Sequence, residues 1–157
     1  MQKINHHLVK ELQEQAGQSE RKRKILNFHK KAADPLQRMV NCLNPGSYVP
    51  PHNHQHPEKR EVFILITGRL LYLEFDDDGE IINKAILDRN KSQWGVEITP
   101  GSYHTIIALE ENTCVYELKD GPYDPETDKY IAPWAPEENA LESRDFLRQL
   151  LEKSKSL

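Results

Sequence analysis

The stretch PGSYVPPHNHQHPEKREVFILITG, Pro45 to Gly68, decides how this chain is read. It sets His52, His54 and His56 at alternating positions and follows them with Glu58, Glu61 and an apolar run. Successive side chains of a strand point to opposite faces, so His52 and His54 project together while Asn53 points away. Two imidazoles on one face form a natural metal grip. Glu61, the first residue of the strand pattern "EVFILITG", can add a carboxylate, and His104, after the Pro100-Gly101 turn, can add a third imidazole from far along the chain. The acidic partner has a competitor. Glu58 lies in the turn Pro57-Glu58-Lys59-Arg60, where a carboxylate is solvated, whereas a residue opening an unbroken strand is held rigidly. The strand pattern therefore favours Glu61, with Glu58 and His56 as alternative ligands.

Outward from this stretch, the chain reads as a series of short strands without intervening helices. After "ILNFH" and "LQRMVNCLN" come "REVFILIT", "RLLYLEF", "IINKAIL", "GVEITP", "YHTIIAL" and "CVYELK". Gly68, the run Asp76-Asp77-Asp78-Gly79, Pro100-Gly101 and Glu110-Glu111-Asn112 separate them with turn chemistry. That spacing indicates an antiparallel sandwich or barrel. At the N-terminus, Ile4, Leu8, Leu12 and Ala16 form one apolar stripe on a helix ending near Gly17. The proline-rich segment "KDGPYDPETDKYIAPWAPEE" holds Tyr123, Tyr130, Ile131 and Trp134, which suits an ordered excursion covering one end of the barrel. A last helix is expected after Pro136, presenting Leu141, Phe146, Leu147, Leu150 and Leu151 either to the sheet or to a second subunit. The whole is one domain: an N-terminal helix and lead-in strand over 1–33, a β-barrel core over 34–120, a covering segment over 121–136 and a C-terminal helix over 137–157.

The 157 residues are 37% hydrophobic and 29% charged, with a net charge of −4, which gives no electrostatic reason to expect nucleic acid or an anionic membrane surface as partner. The basic run Arg21 to Lys24 reads as a solvated segment. No stretch approaches the ~18 uninterrupted apolar residues of a membrane span, and the polar N-terminus has no apolar signal region. The two cysteines, Cys42 and Cys114, lie singly in strand-like segments, which argues against a disulfide scaffold and for a reduced, cytoplasmic setting.

The segment Gly46-(five residues)-His52-Asn53-His54-(six residues)-Glu61-(six residues)-Gly68 resembles the first motif of the cupin superfamily, and "GVEITPGSYH", Gly95 to His104, resembles the second. The gap between His54 and Glu61 is longer than the usual three or four residues, and Ala108 stands where an asparagine often follows the last histidine. "DPLQRMVNCLNPGSYVPPHNH", "EVFILITGRL" and "YELKDGPYDPETDKYIAPWAPEE" are further similar to the WbuC-type cupin-fold metalloproteins found among bacterial polysaccharide genes, so the likeness runs from Asp34 to Glu138.

The resemblance implies an all-β core, a cupin-like double-stranded β-helix forming a small β-barrel, with N-terminal and C-terminal α-helices. It implies one divalent transition metal ion (Fe, Mn, Ni, Zn or Co) held inside by His52, His54, Glu61 and His104, and Arg38, Tyr48, Glu117, Lys119 and Tyr123 as substrate-binding candidates. In "CVYELKD", strand alternation puts Val115, Glu117 and Lys119 on one side and Cys114, Tyr116 and Leu118 on the other. Facing inward, the charged pair could bind a polar substrate; facing outward, it is solvated, and both readings stay open. Arg38 likewise either pairs with a carboxylate or clamps an anionic ligand group.

Three imidazoles and one carboxylate leave coordination positions open, which suits Lewis-acid isomerisation or epimerisation of a small polar or carbohydrate-related molecule. The alternatives are an iron-dependent oxygenase and a non-catalytic, metal-dependent binding module. The expected partner is a small molecule, and the amphipathic terminal helices are compatible with a homodimer.

Overall fold

The computed structural model describes residues 1–155; residues 156 and 157 of the expected C-terminal helix lie outside the described residues. The alternating segments form strands and the stripes form helices, in the order α1 (His6–Gln18), β1 (Arg23–Asn27), β2 (Leu36–Leu43), β3 (His52–Asn53), β4 (Glu61–Thr67), β5 (Arg69–Phe75), β6 (Ile81–Asp88), β7 (Gly95–Ile98), β8 (Tyr103–Ala108), β9 (Thr113–Asp120), β10 (Tyr130–Ile131) and α2 (Ser143–Lys153). Two five-stranded sheets result, ordered β1-β2-β9-β4-β7 and β10-β3-β8-β5-β6, with every described pairing antiparallel. This is the all-β core with flanking helices that the sequence indicates.

The main core fills the space between the sheets with Leu43, Phe63, Leu65, Leu70, Tyr72, Leu87, Ile98, Ile106 and Val115, drawn from strands of both. Gly68 makes the tight connection from β4 to β5 possible. Its φ is +75°, and a Cβ there would lie 2.7 Å from the Thr113 Cα, so any side chain would meet both strain and a clash.

Three expectations are corrected. The N-terminal helix is capped by Asn5, whose side chain accepts from the Leu8 N–H at 3.0 Å, and it buries Val9, Leu12 and Ala16 while Ile4 stays exposed ahead of the first turn. The C-terminal helix begins at Ser143, not at Pro136. Turns occupy the intervening residues, with Ala140 N–H donating to the Glu137 carbonyl and Ser143 N–H to the Ala140 carbonyl, and Leu141 is 94% exposed. Its buried face, Leu147 and Leu150, packs on Leu71, Leu73, Phe75 and Ile107 of the chain's own second sheet.

The third correction concerns the cysteines. Cys42 and Cys114 are direct partners across β2 and β9, with Cα atoms 4.1 Å apart, and they form a disulfide. They are separated by 72 positions in sequence, so only the strand register brings them together. The bond is buried beneath α1 beside Val9, Leu12, Ala16 and Val40. Among the described residues no helix is long and apolar enough to cross a membrane.

Candidate metal centre

Strand geometry assembles the centre. His52 lies on β3 directly opposite His104 on β8, His54 follows β3 by one residue, and Glu61 opens β4 in the other sheet. All four side chains are buried, and one donor atom from each lies within 4.8 Å of every other. Glu61 Oε2 is 2.9 Å from His104 Nε2 and 3.3 Å from His54 Nε2. The three rings cluster tightly, with the His52 and His104 centroids 4.6 Å apart.

The outer nitrogens decide what this cluster can bind. His52 Nδ1 is 2.8 Å from the Pro50 carbonyl, His104 Nδ1 is 2.9 Å from the Ser102 carbonyl, and His54 Nδ1 contacts the Asp128 carbonyl. A carbonyl can only accept, so each Nδ1 carries the proton and donates it. A neutral imidazole so arranged keeps a bare lone pair at Nε2. Three such lone pairs converging with a carboxylate oxygen make a cation-binding donor set, with the outer hydrogen bonds fixing tautomer and orientation as in known histidine metal sites. The group could therefore hold a metal ion.

The electrostatics agree. Burial, followed by the nearby charge of Lys129, drives the His52 pKa well below the ordinary imidazole range, which keeps this ring neutral. Burial alone would raise Glu61, but the adjoining His104 and His54 rings outweigh it and hold the carboxyl well below the usual carboxylate range.

Of the remaining sequence candidates, the structure brings some to the centre and leaves others out. Glu58 and His56 are exposed in the turn between β3 and β4 and lie outside the four-residue group. On β9, Glu117 and Lys119 both face inward and are buried, which resolves the two readings of that strand. Lys119 is the register partner of Glu61, and Glu117 pairs with Phe63 two residues further along β4. Burial and then the neighbouring Glu61 carboxylate push the Glu117 carboxyl up to about 7. Tyr48 is buried in the apolar cluster under α2, where its hydroxyl donates to the Pro136 carbonyl at 2.9 Å. Arg38 pairs with Asp34 at 3.0 Å, the carboxylate partner that was one of its two readings, and Tyr123 is 44% exposed.

Three polar residues at the site escape sequence reading. Asp128 lies buried between two buried lysines, with its oxygens 2.7 Å from Lys59 Nζ and 2.5 Å from Lys119 Nζ, and its own carbonyl takes the His54 proton. Lys59 further donates to the Pro122 carbonyl at 2.6 Å. Asn41 on β2 donates to Glu117 at 3.2 Å. The contacts of Asp128 and Pro122 tie the segment after β9 to the barrel, and the same segment adds β10 to the sheet beside β3. Nothing local marks Asp128 in "PETDKY"; an aspartate in a proline-rich segment reads as solvated until the fold supplies its lysines.

Comparison with known proteins places the chain among barrels of this kind. A family model described as a domain of unknown function (DUF6016) matches residues 4–87. No curated protein matches the chain. Among solved structures, the chain is similar to the capsular polysaccharide assembling protein CapF from Staphylococcus aureus, at 28% identity and a TM-score of 0.55, over 68% of this chain and 28% of CapF. It thus spans under a third of the CapF chain. It is also similar to a cupin 2 domain-containing protein from Halorhodospira halophila, at 14% identity and a TM-score of 0.51, over 86% of this chain and 82% of that one. The DMSP lyase DddQ from Ruegeria pomeroyi aligns at 18% identity and a TM-score of 0.51, over 69% of this chain and 51% of that one. The last two likenesses concern the fold, which is that of a cupin.

Proposed function

The chain belongs to the DUF6016 family and has a cupin fold, and on that premise we propose that it is a divalent-metal-binding cupin acting on a small, polar, carbohydrate-related molecule by isomerase- or epimerase-like chemistry. The observation that carries this reading is the convergence of three Nδ1-donating histidines and Glu61 on one point. His52, His54, His104 and Glu61 would hold the ion, which when bound supplies Lewis-acid polarisation of a carbonyl or hydroxyl. The WbuC-type resemblance and the similarity to a capsular polysaccharide assembling protein support a role in polysaccharide metabolism and a carbohydrate-related substrate.

The chain's own groups fit such chemistry. Glu117 is a buried carboxyl beside Glu61, oriented by Asn41, and it is the side chain placed to take or give a proton at its carboxylate oxygen. Lys119, held by Asp128, fixes positive charge on the same inward face of β9. The three imidazoles do not act as proton carriers, because their Nδ1 protons are committed to carbonyls.

The test is turnover. Protein loaded separately with Fe, Mn, Co, Ni or Zn is incubated with nucleotide sugars and free sugars, and products are followed by mass spectrometry and by exchange of carbon-bound hydrogen with deuterated water. Deuterium incorporation by the wild type that is lost in Glu117→Gln, with the metal still bound, is the expected result. Metal-dependent oxygen consumption without hydrogen exchange would replace the isomerase reading with the oxygenase one.

A further inference from the structure

An open cavity of about 560 Å3 lies where β1 and the segment carrying β10 approach each other, and His52, Lys129, Arg21, Arg23, Glu137 and Glu138 help to line it. That volume is typical of small-molecule sites, which run from roughly 300 to 1,000 Å3. His52 belongs to both the cavity wall and the four-residue group, so the cavity borders the candidate metal centre at that residue.

Three cationic side chains, Arg21, Arg23 and Lys129, line this cavity with two carboxylates, Glu137 and Glu138. Arg21 grips both oxygens of Glu138, at 2.6 and 2.8 Å, and Arg23 takes the same carboxylate at 2.7 Å. Two guanidinium groups thus share one anion. Arg23 is held further by donation to the Tyr48 carbonyl at 2.9 Å, and only 8% of its side chain is exposed. Lys129 lines the same cavity. Among the described residues it takes part in none of the ion pairs, whereas Lys59 and Lys119 are both committed to Asp128. Lys129 is exposed to solvent, so its ammonium is available to a ligand entering the cavity.

We propose that this cavity binds a small molecule bearing a carboxylate or phosphate group, with Lys129 as the anchoring cation. The Arg21–Arg23 pair forms a second cationic position, held by Glu138 until a ligand anion competes for it. The remainder of the ligand extends past His52 toward the four-residue group. This rests on the reading of that group as a metal site, and it names the substrate class as anionic. A cation lining a cavity also favours anion entry, an effect that salt weakens.

The experiment is calorimetric titration of the metal-loaded full-length protein with inorganic phosphate and with glucuronate, using glucose as the neutral control, while metal content is measured on each sample. At least one of the two anions binds and glucose does not. Lys129→Gln weakens that binding about tenfold or more, as loss of a charge-assisted hydrogen bond does. Lys129→Arg retains most of it, and Glu138→Gln tightens it by freeing both arginines, a gain that structural damage would not produce. Metal content stays the same in all three variants. Failure of both anions to bind the wild type at millimolar concentration, or equal binding by Lys129→Gln, overturns the proposal and leaves the metal reading intact. Absence of metal from the wild type is the separate result that sinks the underlying reading.

Discussion

Two buried polar clusters lie side by side in this barrel and are built in opposite ways. The four-residue group takes its side chains from β3 and the residue that follows it, β4 and β8, and two of its histidines find their carbonyl partners only two residues upstream, at Pro50 and Ser102. The Lys59–Asp128–Lys119 cluster takes its central residue from the segment after β9 and has no local partner at all. In the first, like groups converge and their lone pairs are left for a cation. In the second, opposite charges satisfy one another. Asp128 joins them, since its carboxylate holds the lysines while its carbonyl orients His54. A set of unsatisfied donors points to a ligand, and a set of matched charges points to architecture.

If that contrast is right, removing the centre of the second cluster harms stability most. Asp128→Ala leaves two buried ammonium groups without their carboxylate, and breaking a buried pair in this way costs about 3–5 kcal/mol. Denaturant titration should show that loss, whereas His52→Ala should remove bound metal with a smaller change in the metal-free midpoint. Equal losses would erase the distinction between the clusters.

Reduction of the Cys42–Cys114 bond is the next effect in size. Opening a cross-link that closes a loop spanning 72 positions costs about 2–4 kcal/mol. The bond lies under α1 in a separate apolar cluster, so reduced protein that remains folded should keep its metal. Metal release on reduction under native conditions would show that the two regions are coupled.

The pH dependence separates Asp128 from Glu117, the carboxyl beside the first cluster, by sign. Burial alone would raise Asp128, but Lys119 and Lys59 override it and hold the carboxyl below its ordinary range. Asp128 therefore contributes stability above the unfolded carboxylate pKa of about 4, and that contribution is lost as pH falls through the lower folded value. Glu117 behaves oppositely. Its folded carboxyl titrates at about 7, so between the unfolded value and that point the folded state binds more protons, and stability falls as pH rises through the window. In metal-free protein, Glu117→Gln should flatten the decline between pH 5 and 7 on denaturation curves, roughly the interval those two pKa values bracket. A decline of unchanged slope would show that Glu117 is not responsible.

The sequence makes the first cluster legible and hides the second for the same physical reason. Alternation puts His52 and His54 on one face, and the unbroken strand pattern after Arg60 marks Glu61 rather than Glu58 as the rigid carboxylate. Both are local properties of strands. The inward face of β9 is also periodic, but periodicity does not say which face is inside, so Glu117 and Lys119 stay ambiguous until β9 pairs with β2 and β4. The partners of Asp128 and the pairing of Cys42 with Cys114 depend on register between distant segments, which composition and spacing do not encode. The late start of α2 has a different cause: Pro136 followed by Glu137 and Glu138 suggests a helix start, yet Leu141 finds nothing to pack against.

The central claim is that four side chains form one cation site. X-ray absorption on cobalt-loaded protein, combined with elemental analysis, tests it most directly. One ion per chain, coordinated by three imidazole nitrogens and a carboxylate oxygen, with a nitrogen lost in His54→Ala, is the expected result. Folded wild-type protein that takes up no stoichiometric divalent metal, or a coordination shell unchanged in His54→Ala, would contradict it.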